Sequence, residues 1–256
     1  MKRFLKIAGL VLLVLIVAIG AVLAVTFMGR QPIVDGQEFS GIRIIEDGFT
    51  AVGVIPVNDR QVALVDTGQD AEGEVIKREL ARRQLQPDSV AAILVTHGHQ
   101  DHIGALGQFP KAEIMALEAE VPLVEGRAGA KGPVPQFMPV RPTGVKVSRV
   151  LHDGDVVMLY TLPVRVYAVP GHTAGSAAYF VNGALFVGDS ADIASDGRLQ
   201  GAPWIFSDSQ EENRESLARL EQRLVSDGVN VRVMIPAHSG AASGIAPLTA
   251  FARGNE

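Results

Sequence analysis

The sequence predicts an α/β fold, because β-rich segments and amphipathic helical segments alternate along the chain. Short runs rich in β-branched residues, separated by turns, occupy residues 42–45, 49–56 and 62–65, as is typical of strands joined in hairpins. Residues 72–84 and 210–225 instead repeat apolar side chains at helical spacing, with charged residues between them. At 256 residues, the chain is long enough for one sizeable domain with its own core.

A long uncharged segment, residues 7–28, follows the basic residues Lys2, Arg3 and Lys6. It is long enough to cross the roughly 30 Å apolar core of a bilayer, and it exceeds the roughly 7–15 apolar residues of a secretory signal. We therefore expect an N-terminal transmembrane helix. The alternative is a signal peptide that is cleaved after Ala24.

This expectation divides the chain into two parts and predicts its compartment. Residues 1–30 would form the membrane anchor, or the signal peptide, and residues 31–256 would form the folded domain. Because the basic residues precede the apolar segment, the positive-inside rule predicts a membrane-anchored domain on the periplasmic or extracellular side. Cleavage of a signal peptide would instead release the domain as a secreted protein.

The overall composition excludes several kinds of function. The net charge is −5, so we expect no nucleic-acid partner. The chain contains no cysteine, which excludes disulfide bridges and cysteine metal ligands.

Potential metal ligands concentrate directly after one predicted strand, residues 91–95. The chain continues Thr-His-Gly-His-Gln-Asp-His, which supplies His97, His99, Asp101 and His102. Three of the six histidines of the chain fall in this segment. A single histidine is more often structural, and Asp101 alone would most often cap a helix. Clustered imidazole and carboxylate groups, in contrast, are typical of a metal site.

The segment THGHQDH resembles the HxHxDH motif of the metallo-β-lactamase fold hydrolases. Three later segments match further motifs of that family, each at the end of a predicted strand: PGHTAGS with His172, VGDS with Asp189, and PAHSG with His238. The resemblance covers most of the chain beyond a predicted linker at residues 29–39. It implies a four-layer αββα sandwich.

The resemblance also implies a ligand set for two divalent metal ions, with zinc favoured and iron or manganese left open. One ion would be held by His97, His99 and His172. The other would be held by Asp101, His102 and His238. Asp189 would bridge the two ions.

Further residues would support these ligands. Asp66 ends a predicted strand in VDTG; alone it would stabilise a turn, but the resemblance implies a carboxylate that holds the ligand loop. Thr173 and Ser176 can fix the His172 loop through hydrogen bonds to its backbone. His152 matches no motif, and we interpret it as a turn residue.

Other segments have a less specific interpretation. Residues 113–120 are predicted to form a short helix. Residues 122–142 are rich in Gly and Pro and are predicted to form a long loop, which the resemblance places beside the active site. Trp204 and Phe206 are equally consistent with the core and with the wall of the pocket.

The resemblance implies a hydrolase for a small-molecule substrate. A hydroxide that bridges the metals would attack an ester, lactone or thioester carbonyl, and Asp101 would orient it as a catalytic residue. The β-lactamases proper usually lack an aspartate at the position of Asp189, which disfavours that activity. The few residues after His238 disfavour the glyoxalase II type, which adds a helical C-terminal region.

Several alternatives stay open at this point. The same ligand set could serve a β-lactamase, a phosphodiesterase or an iron-dependent oxidoreductase. A membrane-tethered binding protein without activity is a further alternative, although the complete ligand set argues against it.

Overall fold

The computed structural model describes residues 2–254, with side chains throughout except at residues 2–5, 8, 15, 18, 19, 23 and 25. Met1 and Glu256, at the outer ends of the two predicted domains, lie outside the described residues, and so do the side chains of Lys2 and Arg3. The α-helices in the described range are α1 (Lys2–Phe27), α2 (Glu74–Arg82), α3 (Gln100–Ile103), α4 (Val121–Val124), α5 (Gln210–Ser226) and α6 (Ala246–Ala252).

The first half of the chain builds a seven-stranded sheet whose strands lie in sequence order. Its first strands pair antiparallel, whereas β4 to β7 run parallel to one another. The strands are β1 (Glu38–Phe39), β2 (Ile42–Asp47), β3 (Thr50–Asn58), β4 (Gln61–Val65), β5 (Val90–Leu94), β6 (Glu113–Leu117) and β7 (Arg149–Leu151).

The second half contributes β8 (Val156–Leu159), β9 (Leu162–Ala168), β10 (Ala177–Val181), β11 (Ala184–Gly188), β12 (Ala191–Ile193), β13 (Leu199–Gly201), β14 (Val233–Pro236) and β15 (Ala242–Ser243). Six of these strands form a second sheet in the order β15-β14-β11-β10-β9-β8. Within it, β11 and β14 are parallel neighbours. Strands β12 and β13 form a separate antiparallel hairpin.

The two sheets pack face to face, with helices on both outer faces. The central core joins side chains of the first sheet, such as Ile44 and Leu94, with side chains of the second, such as Tyr179 and Phe186. A second core packs α2 on the outer face of the first sheet, and a third packs α5 and α6 on the outer face of the second. This is the mixed α/β sandwich, with layers in the order αββα, that the sequence predicted.

The predicted transmembrane helix is wrong. The segment is helical, as α1, but none of the helices in the described part of the chain is long and apolar enough to traverse a membrane.

The predicted helix at residues 113–120 is also wrong. Its first part is β6, which pairs in parallel with β5, and only Glu118–Glu120 forms a 3₁₀ turn. Ala, Met, Leu and Glu favour a helix locally. Pairing with a buried strand overrides that preference, because Ile114–Leu117 all become buried in the sheet.

Candidate metal centre

Strand ends of the first sheet place one half of the cluster. Strands β4, β5 and β6 run parallel, so their carboxyl ends lie at one edge of the sheet. Asp66 follows β4, His97 and the rest of its motif follow β5, and Glu120 follows β6. The polar residues that leave these strands therefore meet at that edge.

Strand ends of the second sheet place the other half. Parallel strands β11 and β14 end next to each other, and Asp189 and His238 follow them directly. His172 lies in the loop after β9, whose backbone is held at the start of α5 by bonds from Asp208 N to His172 O and from Ser209 N to Gly171 O.

A first set of donor atoms comes from His97, His99 and His172, here called the three-histidine group. The Nε2 atom of His172 lies 3.1 Å from Nε2 of His97 and 3.0 Å from Nδ1 of His99. All ligand atoms of this group lie within 4.8 Å of one another. Three imidazole nitrogens are thus close enough together to bind one ion.

A second set comes from Asp101, His102 and His238, here called the mixed group. The Oδ2 atom of Asp101 lies 3.2 Å from Nε2 of His238 and 3.6 Å from Nε2 of His102. These atoms also lie within 4.8 Å of one another.

Asp189 lies between the two groups. Its Oδ1 is 3.1 Å from Nε2 of His102, and its Oδ2 is 3.0 Å from Nε2 of His238. The same Oδ2 is 3.4 Å from Nε2 of His172 and 4.0 Å from Nε2 of His97. One carboxylate therefore contacts both groups, as the resemblance implied for a bridging residue.

The partners of His102 and His238 select their tautomers. The Nδ1 atom of His102 lies 2.9 Å from Oδ2 of Asp66, and Nδ1 of His238 lies 2.8 Å from the carbonyl oxygen of Phe49. A carbonyl accepts hydrogen bonds only, and so does an ionised carboxylate, so each Nδ1 carries a proton and donates it. When the imidazole is neutral, the lone pair is then on Nε2, which faces the centre.

Hydroxyl groups impose the same tautomer on His97 and His172. Ser207 Oγ donates to the carbonyl of Pro203 at 2.7 Å, so it accepts from Nδ1 of His172 at 3.0 Å. Thr96 Oγ1 donates to Asp66 at 2.7 Å, so it accepts from Nδ1 of His97 at 3.2 Å. In both rings Nε2 is left as the acceptor toward the centre.

This arrangement fits a metal site. A zinc–nitrogen distance of about 2.0–2.1 Å places tetrahedral neighbours about 3.3 Å apart, close to the separations seen between the nitrogens. Nε2 of His102 and Oδ1 of Asp189 are buried and lie 3.1 Å apart, and apart from each other they have no polar partner at hydrogen-bond geometry among the described residues. Imidazole with carboxylate is also the donor set that zinc, iron and manganese accept.

Burial controls the protonation of the three-histidine group. It lowers the pKa of His97 well below its ordinary value, and the neighbouring imidazoles His102 and His172 lower it further. Burial likewise lowers the pKa of His99, and it lowers the pKa of His172 to about 3 despite the opposing charge of Asp189. These imidazoles are neutral at neutral pH.

Carboxylates control the protonation of the mixed group. Burial alone would lower the pKa of His102, but the charges of Asp189, Asp101 and Asp66 raise it well above its ordinary value. The pKa of His238 rises to about 10 against the effect of burial, because of Asp189 and a hydrogen bond to Asp101. Burial opposes the ionisation of Asp101, yet His102 and His238 lower its pKa to about 2.

Asp66 holds the first ligand loop. Its carboxylate accepts hydrogen bonds from the backbone and hydroxyl of Thr96, both at 2.7 Å, and contacts His102. Its φ of 60° is left-handed, a backbone conformation that a non-glycine residue adopts at a cost of about 1–3 kcal/mol. The three bonds offset that strain.

Thr173 and Ser176 hold the loop of His172. The Ser176 hydroxyl accepts from the backbone N–H of Thr173 at 3.0 Å, and the two hydroxyls lie 2.8 Å apart. Both side chains are buried.

The sequence reasoning missed Glu120, which connects the two ligand loops. Its carboxylate accepts from Gly98 N at 2.7 Å, from Gly175 N at 2.9 Å and from the Thr173 hydroxyl at 2.9 Å. Burial raises the pKa of this carboxyl to about 7 against the effect of those three donors. A side chain at Gly175 would overlap the backbone of Glu120. Gly98 and Gly175 were the available signal in the sequence, because a glycine in a ligand loop allows another segment to approach closely.

The structure also places Trp204, Phe206 and His152, the three remaining residues that the sequence singled out. Phe206 lines the cavity next to the ligand cluster, whereas Trp204 is half-exposed and lines a neighbouring cavity. His152 lies exposed in the turn after β7, where its backbone N–H donates to Asp155. It belongs to none of the groups of converging ligand atoms, as expected for a turn residue.

Comparison with known proteins agrees with this geometry. The family model described as the metallo-beta-lactamase superfamily matches residues 45–227. A hydroxyacylglutathione hydrolase from Aeromonas hydrophila is 34% identical over 151 residues, which are 57% of this chain and 49% of the relative. One from Edwardsiella ictaluri is 29% identical over 73% of this chain and 61% of its own length. The chain thus spans about half to three fifths of these relatives.

Solved structures share the fold at lower identity. A subclass B3 metallo-beta-lactamase of Bradyrhizobium japonicum superposes with a TM-score of 0.59 at 22% identity, over 82% of this chain and 79% of the other. One from Novosphingobium pentaromativorans gives 0.61 at 23% identity, over 82% and 78%. On the strength of the family match and the shared fold, this chain belongs to the metallo-beta-lactamase superfamily.

Proposed function

We propose that this protein is a metal-dependent hydrolase that holds two divalent ions, zinc before iron or manganese, and cleaves a small ester, lactone or thioester. The observation that carries the proposal is the convergence of imidazole and carboxylate donors from seven residues: His97, His99, Asp101, His102, His172, Asp189 and His238. In four of the histidines, a hydrogen bond made by Nδ1 leaves Nε2 facing the centre. Such support is typical of metal ligands.

The two groups described above would hold one ion each, with Asp189 shared between them. Bound metal ions would polarise the carbonyl of the substrate and lower the pKa of water, from about 15.7 to about 7 at a single zinc. Because the donors end at a cavity, the ions would remain accessible to a substrate from one side.

Asp101 is the residue with a further catalytic role in this proposal. Its carboxylate is a quarter exposed, lines the cavity and stays ionised because its pKa is about 2. An ionised carboxylate accepts hydrogen bonds only. Asp101 would therefore orient an attacking water molecule by accepting a hydrogen bond from that water.

Among possible substrates, the curated relatives favour a thioester. Their name, hydroxyacylglutathione hydrolase, describes hydrolysis of an acyl group carried on a thiol. The B3 β-lactamase structures are less than 25% identical to this chain and support the fold alone.

The test compares two histidine variants of the zinc-loaded protein on esters, a lactone, thioesters and a β-lactam. We expect His99→Ala to lower hydrolysis by more than the roughly 10–100-fold that loss of a supporting residue costs, and to lower the zinc content. His152→Ala is the matched control, because its side chain is 64% exposed and belongs to neither ligand group. Full activity of His99→Ala, or activity without metal, would overturn the proposal.

A further inference from the structure

The cavity beside the ligand cluster is lined by polar side chains of the cluster and by a set of large apolar side chains, here called the apolar wall. Its volume is about 400 Å³, within the size range of small-molecule sites. The side chains of the cluster are those of His99, Asp101, Asp189 and His238. The rest of the lining includes four large apolar side chains from separate parts of the chain: Phe27, Phe49, Met138 and Phe206.

The end of α1 is attached to this site by backbone hydrogen bonds. The N–H of Gln31 donates to Ile193 at 2.8 Å, and the N–H of Ser195 donates to Gly29 at 2.7 Å. The carbonyl of Gln31 accepts from Gly240, two residues after His238, at 2.8 Å. The segment of residues 29–31, predicted as the start of a linker, thus connects the β12–β13 hairpin, which follows Asp189, to the loop that carries His238.

Side-chain contacts extend this attachment to Phe27. Arg30 forms an ion pair with buried Asp192 at 2.8 Å and lies 5.2 Å from the centroid of the Phe27 ring. The Phe27 ring is 5.9 Å from the ring of Phe206. Phe27 is therefore held against the cavity although it is distant in sequence from the metal ligands.

The side chains of the apolar wall are far more exposed to solvent than core side chains. Phe27 is 45% exposed, Phe49 is 54% exposed and Met138 is 56% exposed. Concave apolar surface of this kind is stabilised when an apolar ligand removes it from water. Arg30 is the one Lys or Arg among the described residues that line this cavity, and Asp192 balances its charge. The wall therefore suits an uncharged group better than an anionic one.

We propose that the substrate carries a bulky apolar acyl group that binds between Phe27, Phe49, Met138 and Phe206, and that Phe27 at the end of α1 determines this preference. The inference rests on the proposed hydrolase function, because it assigns the substrate class of the same site. The scissile carbonyl would face the ligand cluster, and the acyl chain would extend along the aromatic wall.

The experiment measures kcat/KM for 4-nitrophenyl esters from acetate to octanoate with the zinc-loaded full chain. Each methylene buried against the wall is expected to raise kcat/KM up to about fourfold. Phe27→Ala should lower octanoate hydrolysis about tenfold while acetate hydrolysis stays within about twofold of the parent protein. Met138→Ala, which removes another apolar side chain of the lining, should act in the same direction. Phe137→Ala is the matched control, because this phenylalanine is 83% exposed and does not line the cavity.

The outcomes separate this inference from the proposed function. Equal loss for acetate and octanoate in Phe27→Ala, or no dependence on acyl length in the parent protein, would overturn the apolar-acyl proposal and leave the hydrolase intact. Absence of zinc-dependent hydrolysis of every ester, lactone and thioester would overturn the hydrolase instead. In that case calorimetric binding of octanoate and acetate still decides the inference: tighter octanoate binding that Phe27→Ala weakens supports it, and equal binding contradicts it.

Discussion

The three-histidine group and the mixed group use the same side chain in opposite electrostatic environments. In the first group, burial among other imidazoles keeps the rings neutral, and the pKa of His172 falls to about 3. In the second, carboxylates surround the rings, and the pKa of His238 rises to about 10. The neighbours of a histidine, rather than its depth, thus determine whether it is ready to bind a metal ion or must first lose a proton.

This difference predicts an order of events. The three-histidine group presents neutral nitrogens at neutral pH, so an ion can bind there without displacing protons. The mixed group holds protons between its rings and Asp189 or Asp101 in the metal-free protein. Binding there releases protons to the solvent. We therefore expect the three-histidine group to fill first.

The largest effect should come from Asp189, because its carboxylate lies beside histidines of both groups. Asp189→Asn keeps the size of the side chain and removes its charge, so both groups lose their shared carboxylate. We expect kcat/KM to fall at least about a hundredfold and zinc to fall below two equivalents, measured by elemental analysis.

The control for this substitution is Asp196→Asn, at an exposed residue that pairs with Arg198 at 2.8 Å. It should keep both zinc ions and full activity. An Asp189→Asn protein with two zinc ions and the parent rate would show that the two groups act independently.

Replacing a carboxylate that holds the ligands in place, Asp66 or Glu120, should lower the zinc affinity of one group more than that of the other. Asp66 contacts His102 of the mixed group directly and reaches His97 only through the Thr96 hydroxyl, so Asp66→Asn should weaken zinc binding most at the mixed group, about 10–100-fold. Glu120 contacts the loops of His99 and His172 through Gly98, Gly175 and Thr173. Glu120→Gln should therefore weaken the three-histidine group, by about tenfold because no imidazole is touched.

Competition with a chelator measures both affinities in each variant. Asp66→Asn and Glu120→Gln serve as controls for each other, since each replaces a buried carboxylate by its amide. Equal weakening of both groups by either variant would contradict the separation of roles and indicate general loosening of the fold.

The smallest expected difference between the two groups is in the pH dependence of their zinc affinities. The raised pKa values of His102 and His238 mean that these rings are protonated at neutral pH without metal, so binding must displace their protons. Affinity at the mixed group should rise about tenfold per pH unit for each proton displaced between pH 6 and 8. Affinity at the three-histidine group should stay nearly constant there, because the pKa values of its rings are lowered. Two parallel pH profiles would contradict this account.

The sequence was informative where function requires particular side chains at strand ends. His97, His172, Asp189 and His238 each follow a β-rich run that is easy to recognise, and the structure brings them together. The hairpin of β10 and β11 was also predictable, because the turn Asn182–Gly183 separates two well-marked apolar runs.

Residues that act through long-range packing were not predictable. Glu120 follows a segment whose composition favours a helix, and no local pattern distinguishes it from the exposed Glu118. Ser207 supports His172 across 35 positions of sequence. Phe27 lies in a segment whose apolar character suggested a membrane span, so its position at the cavity emerges only from the pairing of residues 29–31.

The most direct test of the account is a zinc titration of the metal-free full chain, followed by hydrolysis of an acyl thioester. We predict no hydrolysis without metal and a rate that rises until two equivalents are bound, with no further rise beyond. A rate that is already maximal without zinc, or that does not respond to it, would contradict the claim that the seven converging side chains form a two-metal hydrolytic centre.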